Sequence, residues 1–242
     1  MKQLVNKIKV FVDFDGTITT TDVGEAMFIK FGNEEKNIRI IKDWISKEIG
    51  SSEMWQQLCD TIDFFNEPAF NSFLDSIHLD EGFKSFVAFC SEQEIPIVIL
   101  SDGLDLYIKK ILDREGLNEI PFFCNTVEVT SNSKLIMGFP YTDEECTRCA
   151  NCKRNHIINL SSDDDFTIYI GDGLTDTCPV QYCDYIFAKS SLLKFCEINR
   201  ISYYPFNNFF EVQERINELS LKKRLKKRHQ AQLKRREIYI QG

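Results

Sequence analysis

The chain has 242 residues, 43% apolar and 12% aromatic, which suits a substantial buried core and excludes a disordered segment. That length fits one domain with an insertion. A formal net charge of −8 argues against a nucleic-acid binder, and no apolar run reaches the length of a membrane span.

Lys2, Lys7 and Lys9 lead into an apolar strand with no small-residue cleavage site, so no signal peptide is expected. The nine cysteines are odd in number, and Cys59, Cys90 and Cys196 sit in apolar segments. Scattered thiols of this kind fit the reducing cytoplasm better than a disulfide framework. The charge is unevenly spread: from Lys222 onward nine Lys or Arg face one Glu, leaving 20 basic against 36 acidic residues before it.

Lys9 to Val12 reads as a buried strand that breaks at Asp13-Phe14-Asp15-Gly16-Thr17. Four short amphipathic helices follow. Asp22 caps the first, which Gly32 ends; the second spans Glu34 to Glu48; Ser51-Ser52-Glu53 opens the third; Pro68 begins the fourth. Their place after the Asp13 loop marks them as a cap over the sheet edge. An α/β alternation then resumes. Glu81 to Gln93 is helical, and Ile95 to Leu100 is a strand that breaks at Ser101-Asp102-Gly103. Leu104 to Glu115 is helical, and Phe122 to Thr130 with Lys134 to Phe139 forms a hairpin or adjacent strands. A helix from Cys152 precedes the strand Phe166 to Ile170, which breaks at Gly171-Asp172-Gly173-Leu174-Thr175-Asp176. A helix to about Tyr182, a strand Tyr185 to Ala188, a helix from Leu192 to Asn199, and a helix from Phe209 into the basic tail complete the pattern.

Three strands thus end in polar loops, and at one edge of a parallel sheet such loops converge. Taken singly, each residue has an ordinary reading: Ser101 a turn, Lys153 a solvated lysine, Asp172 a cap. Taken together, Asp-x-Asp-Gly-Thr, Ser-Asp-Gly and Gly-Asp-Gly-x-Thr-Asp resemble the motifs of the haloacid dehalogenase superfamily of phosphohydrolases, and they run from Asp13 to Asp176. The resemblance implies an α/β fold with a Rossmann-like core and parallel sheet at 1–17 and 79–219. It also implies an inserted four-helix (C1-type) cap at 18–78, as in the phosphoserine-phosphatase-like branch, with a basic C-terminal helix or tail at 220–242.

The implied roles agree with the chemistry of the residues. Asp13 is the expected nucleophile and Asp15 the acid/base. Mg²⁺ is expected among the Asp13 carboxylate, the Asp15 carbonyl and Asp172, with Asp176 as an outer or additional partner. Ser101 and the N–H groups of Asp102 and Gly103 would hold phosphate oxygens. Lys153 stands at the family's lysine position, with Lys134 as its competitor.

Cys146, Cys149 and Cys152 have metal-ligand spacing, and one zinc reading adds Cys124 or His156 as a fourth ligand; the alternative is three reduced thiols in a packed loop. This stretch, with Glu81-Gly-Phe, resembles the methionine-salvage branch, which dephosphorylates a hydroxyketo-methylthiopentenyl phosphate. Ser101-Asp102-Gly103 departs from that branch's Ser-Gly-Gly and resembles phosphocholine and phosphoethanolamine phosphatases, where the acidic residue can face an ammonium group. Phosphoserine is a further alternative.

The expected partner is a small phosphomonoester, selected by cap residues around Asp22, Glu25, Met27 and Phe28. No membrane partner is expected, the basic tail alone points toward nucleic acid or anionic lipid, and the oligomeric state is open. The tail itself is expected to be a solvated helix, frayed or lying on the acidic body. Two rival readings are a phospho-ligand sensor without turnover and a phosphotransferase using an acceptor alcohol.

Overall fold

The computed structural model describes residues 7–146 and 148–241; Lys2 and the extreme ends of the ranges expected above lie outside the described residues. The strand β1 (Ile8–Val12) leads through a tight turn to α1 (Val23–Phe31), α2 (Glu34–Ile45), α3 (Ser51–Asp60) and α4 (Glu67–Leu74). Then come α5 (Phe83–Glu92), β2 (Ile97–Leu104), α6 (Asp105–Glu115), β3 (Phe122–Val129) and β4 (Leu135–Gly138). The remainder holds α7 (Lys153–Leu160), β5 (Phe166–Gly171), β6 (Tyr185–Ala188), α8 (Ser190–Ile198), β7 (Tyr204–Pro205), α9 (Phe209–Ser220) and α10 (His229–Gln241). The seven strands follow the order β4-β3-β2-β1-β5-β6-β7. No helix among the described residues is long and apolar enough to cross a membrane.

The chain divides into two compact units, one of Met1–Ile18, Leu79–Leu100 and Lys153–Gly242, the other of Thr19–His78 and Ser101–Cys152. In the first, β1 is parallel to both its neighbours, with Val10 opposite Ile97 and Ile168. Val10, Phe11, Val12, Ile99, Leu100 and Ile170 have no accessible surface, as expected of central parallel strands covered on both faces. The helix α9 packs on α5 through Phe209, whose ring lies 4.9 Å from that of Phe83 and 5.2 Å from that of Phe86. Each such ring contributes about 1.5–3 kcal/mol by leaving water. Asp80 Oδ1 accepts from the Gly82 and Phe209 N–H groups and so ties the starts of both helices together.

The second unit contains α1–α4, α6 and the antiparallel β3/β4 hairpin. Asp22, Asn33 and Asn66 cap α1, α2 and α4 by accepting from N–H groups three residues on. Phe31, Phe65, Phe70 and Phe73 form an aromatic cluster with centroid separations of 5.1–6.1 Å. The helix α6 joins them, since Lys110 donates to Glu67 and Asn71 and Arg114 donates to the Leu74 and Ile77 carbonyls.

Three elements differ from the sequence reading. The strand β2 continues through Ser101-Asp102-Gly103 and stays buried to Leu104. In place of a helix to Tyr182 there are two short turns, Leu174–Asp176 and Pro179–Tyr182. The helix from Phe209 stops at Ser220, because Lys222/Lys226, Lys223/Lys227 and Arg224/Arg228 would place like charges one helical turn apart. The tail resumes as α10 and docks. Leu225, Ala231 and Arg235 are buried, and Arg235 donates to Thr167, the Tyr182 carbonyl and Asp184.

Candidate active site

The first unit holds five of the expected residues. Asp13 follows directly on β1, and its N–H donates to the Ile170 carbonyl of β5 at 2.9 Å. In the turn beyond it, Gly16 adopts φ +72°, and a Cβ there would lie 2.9 Å from Asp172 Oδ2. Glycine therefore meets two demands at once. Asp15, between them, is half-buried in extended backbone at φ −73° and ψ 123°. Thr17 donates to Asp172 Oδ1 at 2.7 Å and fixes that carboxylate.

The segment after β5 is organised by Asp176, which has no accessible surface. Its Oδ2 accepts from the Asp172 and Gly173 N–H groups, both at 3.0 Å. Its Oδ1 accepts from Lys153 Nζ at 2.7 Å and from the Tyr169 hydroxyl at 2.6 Å. Lys153, the first residue of α7, is 2% exposed; its Nζ also donates to Asp13 Oδ1 at 2.5 Å and to Thr175 Oγ1 at 3.3 Å.

Ligand oxygens of Asp13, Asp172 and Asp176 all lie within 4.8 Å of one another. Like charges at such range repel by about 4 kcal/mol even at an effective dielectric of about 20. Burial first, and Asp176 second, hold the Asp13 carboxyl well above the usual carboxylate range, although Lys153 pulls it down. The same two causes raise Asp172 to about 6. Burial works against the charge on Lys153, yet Asp13 and Asp176 outweigh it and keep the ammonium above its ordinary value. One lysine thus stands among three crowded carboxyl groups.

The other expected residues lie in the second unit. Ser101 Oγ accepts from the Gly103 N–H at 2.8 Å. Asp102 is buried, and its Oδ1 accepts from the Asn151 N–H at 2.9 Å. The Asn151 side chain donates to the Ser101 and Phe123 carbonyls, and Asn125 donates to the Asp102 carbonyl. Asp22 caps α1 through Glu25 N–H, and Glu25 is exposed on its first turn. Lys134 is an exposed residue 3.6 Å from Asp63, leaving Lys153 as the lysine at the Asp13 cluster.

The zinc expectation is corrected. Among the described residues Asp13, Asp172 and Asp176 form the group able to hold a metal; Cys124, Cys146, Cys149, Cys152 and His156 do not. Cys124 lies within β3, and the Cys152 N–H donates to the Tyr141 carbonyl. Thr17, Thr175 and Tyr169 were missed as site residues. The threonines stood inside the motifs, whereas Tyr169 was hidden as one more large residue in an apolar strand.

A family model described as Putative Phosphatase matches residues 8–200. The 2-hydroxy-3-keto-5-methylthiopentenyl-1-phosphate phosphatase of Bacillus thuringiensis (strain Al Hakam) is 33% identical over 220 residues, covering 88% of this chain and 97% of that one. A HAD family hydrolase from Salmonella enterica subsp. enterica serovar Typhi has a TM-score of 0.68 at 16% identity, over 88% of this chain and 72% of that one. A phospho-aspartyl intermediate analogue of phosphoserine phosphatase has a TM-score of 0.66 at 15% identity, over 87% and 99%.

Proposed function

Since the chain belongs to the Putative Phosphatase family and is a phosphoric monoester hydrolase of the haloacid dehalogenase type, we propose that it works through an aspartyl-phosphate on Asp13, with Mg²⁺ bound beside it. The observation that carries this reading is Lys153 Nζ bridging Asp13 and Asp176, with Asp172 in the same cluster. Hard carboxylate oxygens, too many for one lysine, suit a divalent cation such as Mg²⁺ held by Asp13, Asp172 and the Asp15 carbonyl. When bound, the cation supplies positive charge against the phosphoryl oxygens and keeps the Asp13 carboxylate ionised.

Asp13 attacks phosphorus, and the bond to the ester oxygen breaks. The leaving oxygen takes the electron pair and a proton from Asp15. Asp15, now a carboxylate, takes a proton from water, whose oxygen attacks the same phosphorus. Asp13 is released and inorganic phosphate leaves. Lys153 offsets charge on the transferring group. Ser101 O–H and the Asp102 N–H are assigned the phosphate oxygens, the Gly103 N–H being held by Ser101 Oγ. Helices α1–α4 are assigned to substrate selection, with Asp22, Glu25, Met27 and Phe28 nearest the catalytic turn in sequence.

For the substrate we take the 2-hydroxy-3-keto-5-methylthiopentenyl-1-phosphate named for the Bacillus relative. The 33% identity to that relative, over 97% of its length, supports that choice over a phosphocholine or phosphoethanolamine ester. A reducing cytoplasm is supported by nine cysteines that are all thiols.

The test is phosphate release from p-nitrophenyl phosphate with Mg²⁺ and with EDTA, beside the enol phosphate, phosphocholine, phosphoethanolamine and phosphoserine. Release is expected to need Mg²⁺ and to be fastest with the enol phosphate. Asp13→Asn is expected to lower kcat by at least about 10³-fold with the fold intact. Near-normal turnover in that variant would remove the mechanism.

A further inference from the structure

We propose that Tyr169 is a positioning residue for this phosphoryl transfer: its hydroxyl locks Asp176 in the orientation that presses Lys153 against Asp13. The inference rests on the phosphatase reading above.

Tyr169 lies inside β5, is among the largest fully buried side chains, and has no accessible surface. Phenylalanine would fill almost the same volume without bringing a polar group to be satisfied. The phenol is satisfied by a single short bond, 2.6 Å to Asp176 Oδ1, the oxygen that also receives Lys153 Nζ. Hydrogen bonds to an ionised carboxylate are about twice as strong as neutral ones.

A carboxylate offers about four lone-pair sites. Asp176 has four donors, two on each oxygen: Tyr169 and Lys153 on Oδ1, the Asp172 and Gly173 N–H groups on Oδ2. Turning the carboxylate would break all four, so its orientation is fixed. Without the phenol, Oδ1 is held by the lysine alone, and the lysine loses a fixed anchor opposite Asp13. Packing reserves room for the contact. A Cβ on Gly171 would come within 2.4 Å of Asp176 Oδ2 and 2.9 Å of Tyr169 Cε1. A purely structural phenol would affect melting alone, whereas a positioning phenol affects the rate through Asp176.

The experiment is steady-state hydrolysis of p-nitrophenyl phosphate with Mg²⁺ by wild type, Tyr169→Phe, Asp176→Asn and the double variant, with thermal melts. Tyr169→Phe is expected to lower kcat about tenfold, with KM and the half-saturating Mg²⁺ concentration within about twofold. In the Asp176→Asn background the same change should cost less than about twofold, because the residue it acts through is already altered. An unchanged kcat in Tyr169→Phe, or an undiminished loss in the Asp176→Asn background, would overturn the proposal. Should the Phe variant not fold, 3-fluorotyrosine at position 169 alters the donor strength and little else. It should change kcat at least about twofold, with no change from the same replacement at Tyr203, whose hydroxyl bonds Glu197. Equal rates at both positions would refute the assignment. Absence of wild-type turnover would instead refute the phosphatase reading, so the two failures are told apart.

Discussion

Two clusters of buried charge occur in the first unit, and they are composed in opposite ways. Around Lys153, Asp13 and Asp176 share one ammonium, and Asp172 in the same cluster has Lys189 as its chief offsetting charge. Around Asp184, one carboxylate meets two cations, Arg235 at 3.1 Å and Lys227 at 3.8 Å. The surplus donors of the second cluster are taken up by backbone: Arg235 reaches the Tyr182 carbonyl, and Arg228 reaches those of Cys183 and Val180. Thr167 N–H and hydroxyl complete the Asp184 carboxylate. That cluster is closed and holds the tail in place. The first cluster is left short of positive charge, which is the condition for taking up a cation and an anionic substrate.

The sharpest way to break this contrast is Arg235→Ala. Removing one partner of a buried pair costs about 3–5 kcal/mol, and the remaining Lys227 places the expected loss at the lower end, about 3 kcal/mol. Urea unfolding should report it, with kcat per folded molecule unchanged. A loss below about 0.5 kcal/mol would mean that Asp184 is not closed by the tail.

Asp172→Asn should have the opposite sign. The Asp172 carboxyl sits at about 6 in the fold against an ordinary 3.8, so the native state holds this proton more tightly than the unfolded chain. Its contribution to stability is present at low pH and is lost as pH rises through about 6. At pH 7.5 in EDTA, Asp172→Asn is therefore expected to be more stable than wild type by about 1 kcal/mol, discounted for partial exposure, while losing turnover with Mg²⁺. A destabilised Asp172→Asn would show that the cluster is not strained.

The smallest effect concerns His156. Burial lowers it from 6.5 to about 4, so the unfolded chain binds the proton first and stability falls as pH drops through that window. His156→Gln should flatten acid unfolding curves between about pH 6.5 and 4, by about 1 kcal/mol once the shift is discounted for solvent screening. An unchanged slope would place the acid sensitivity elsewhere.

The sequence made the Asp13 and Asp172 carboxylates readable because each follows an apolar, β-branched strand, and such strands become the central parallel ones. Val10 to Val12 and Phe166 to Ile170 are both of this kind. The polar triplet Ser101-Asp102-Gly103 misled for the same reason, since it looked like a strand's end. Asn125 and Asn151, distant in sequence, satisfy its carbonyls and allow the strand to continue. The docked tail was hidden by composition, because its charges outnumber Leu225 and Ala231, the two apolar residues that anchor it. Tyr169 was illegible as a site residue because only the bend after Gly171 brings Asp176 back to its hydroxyl. The thiol spacing suggested a ligand set, whereas among the described residues the metal-competent group is that of Asp13, Asp172 and Asp176.

The pairing of β1 has a consequence for how the protein comes into being. Its strand is made early, yet one of its two neighbours, β5, and the carboxylate that Thr17 grips lie far downstream, 155 positions on in the case of Asp172. At about 5–20 residues per second, a ribosome needs about eight to thirty seconds to cover that distance. Through that interval one edge of β1 has nothing to pair with, the condition under which nascent chains recruit chaperones or stick to one another. Asp13 waits in the same way for Lys153, 140 positions on, and for Asp172. On the proposed mechanism the chain is therefore inert until the stretch from Lys153 to Asp176 has been made.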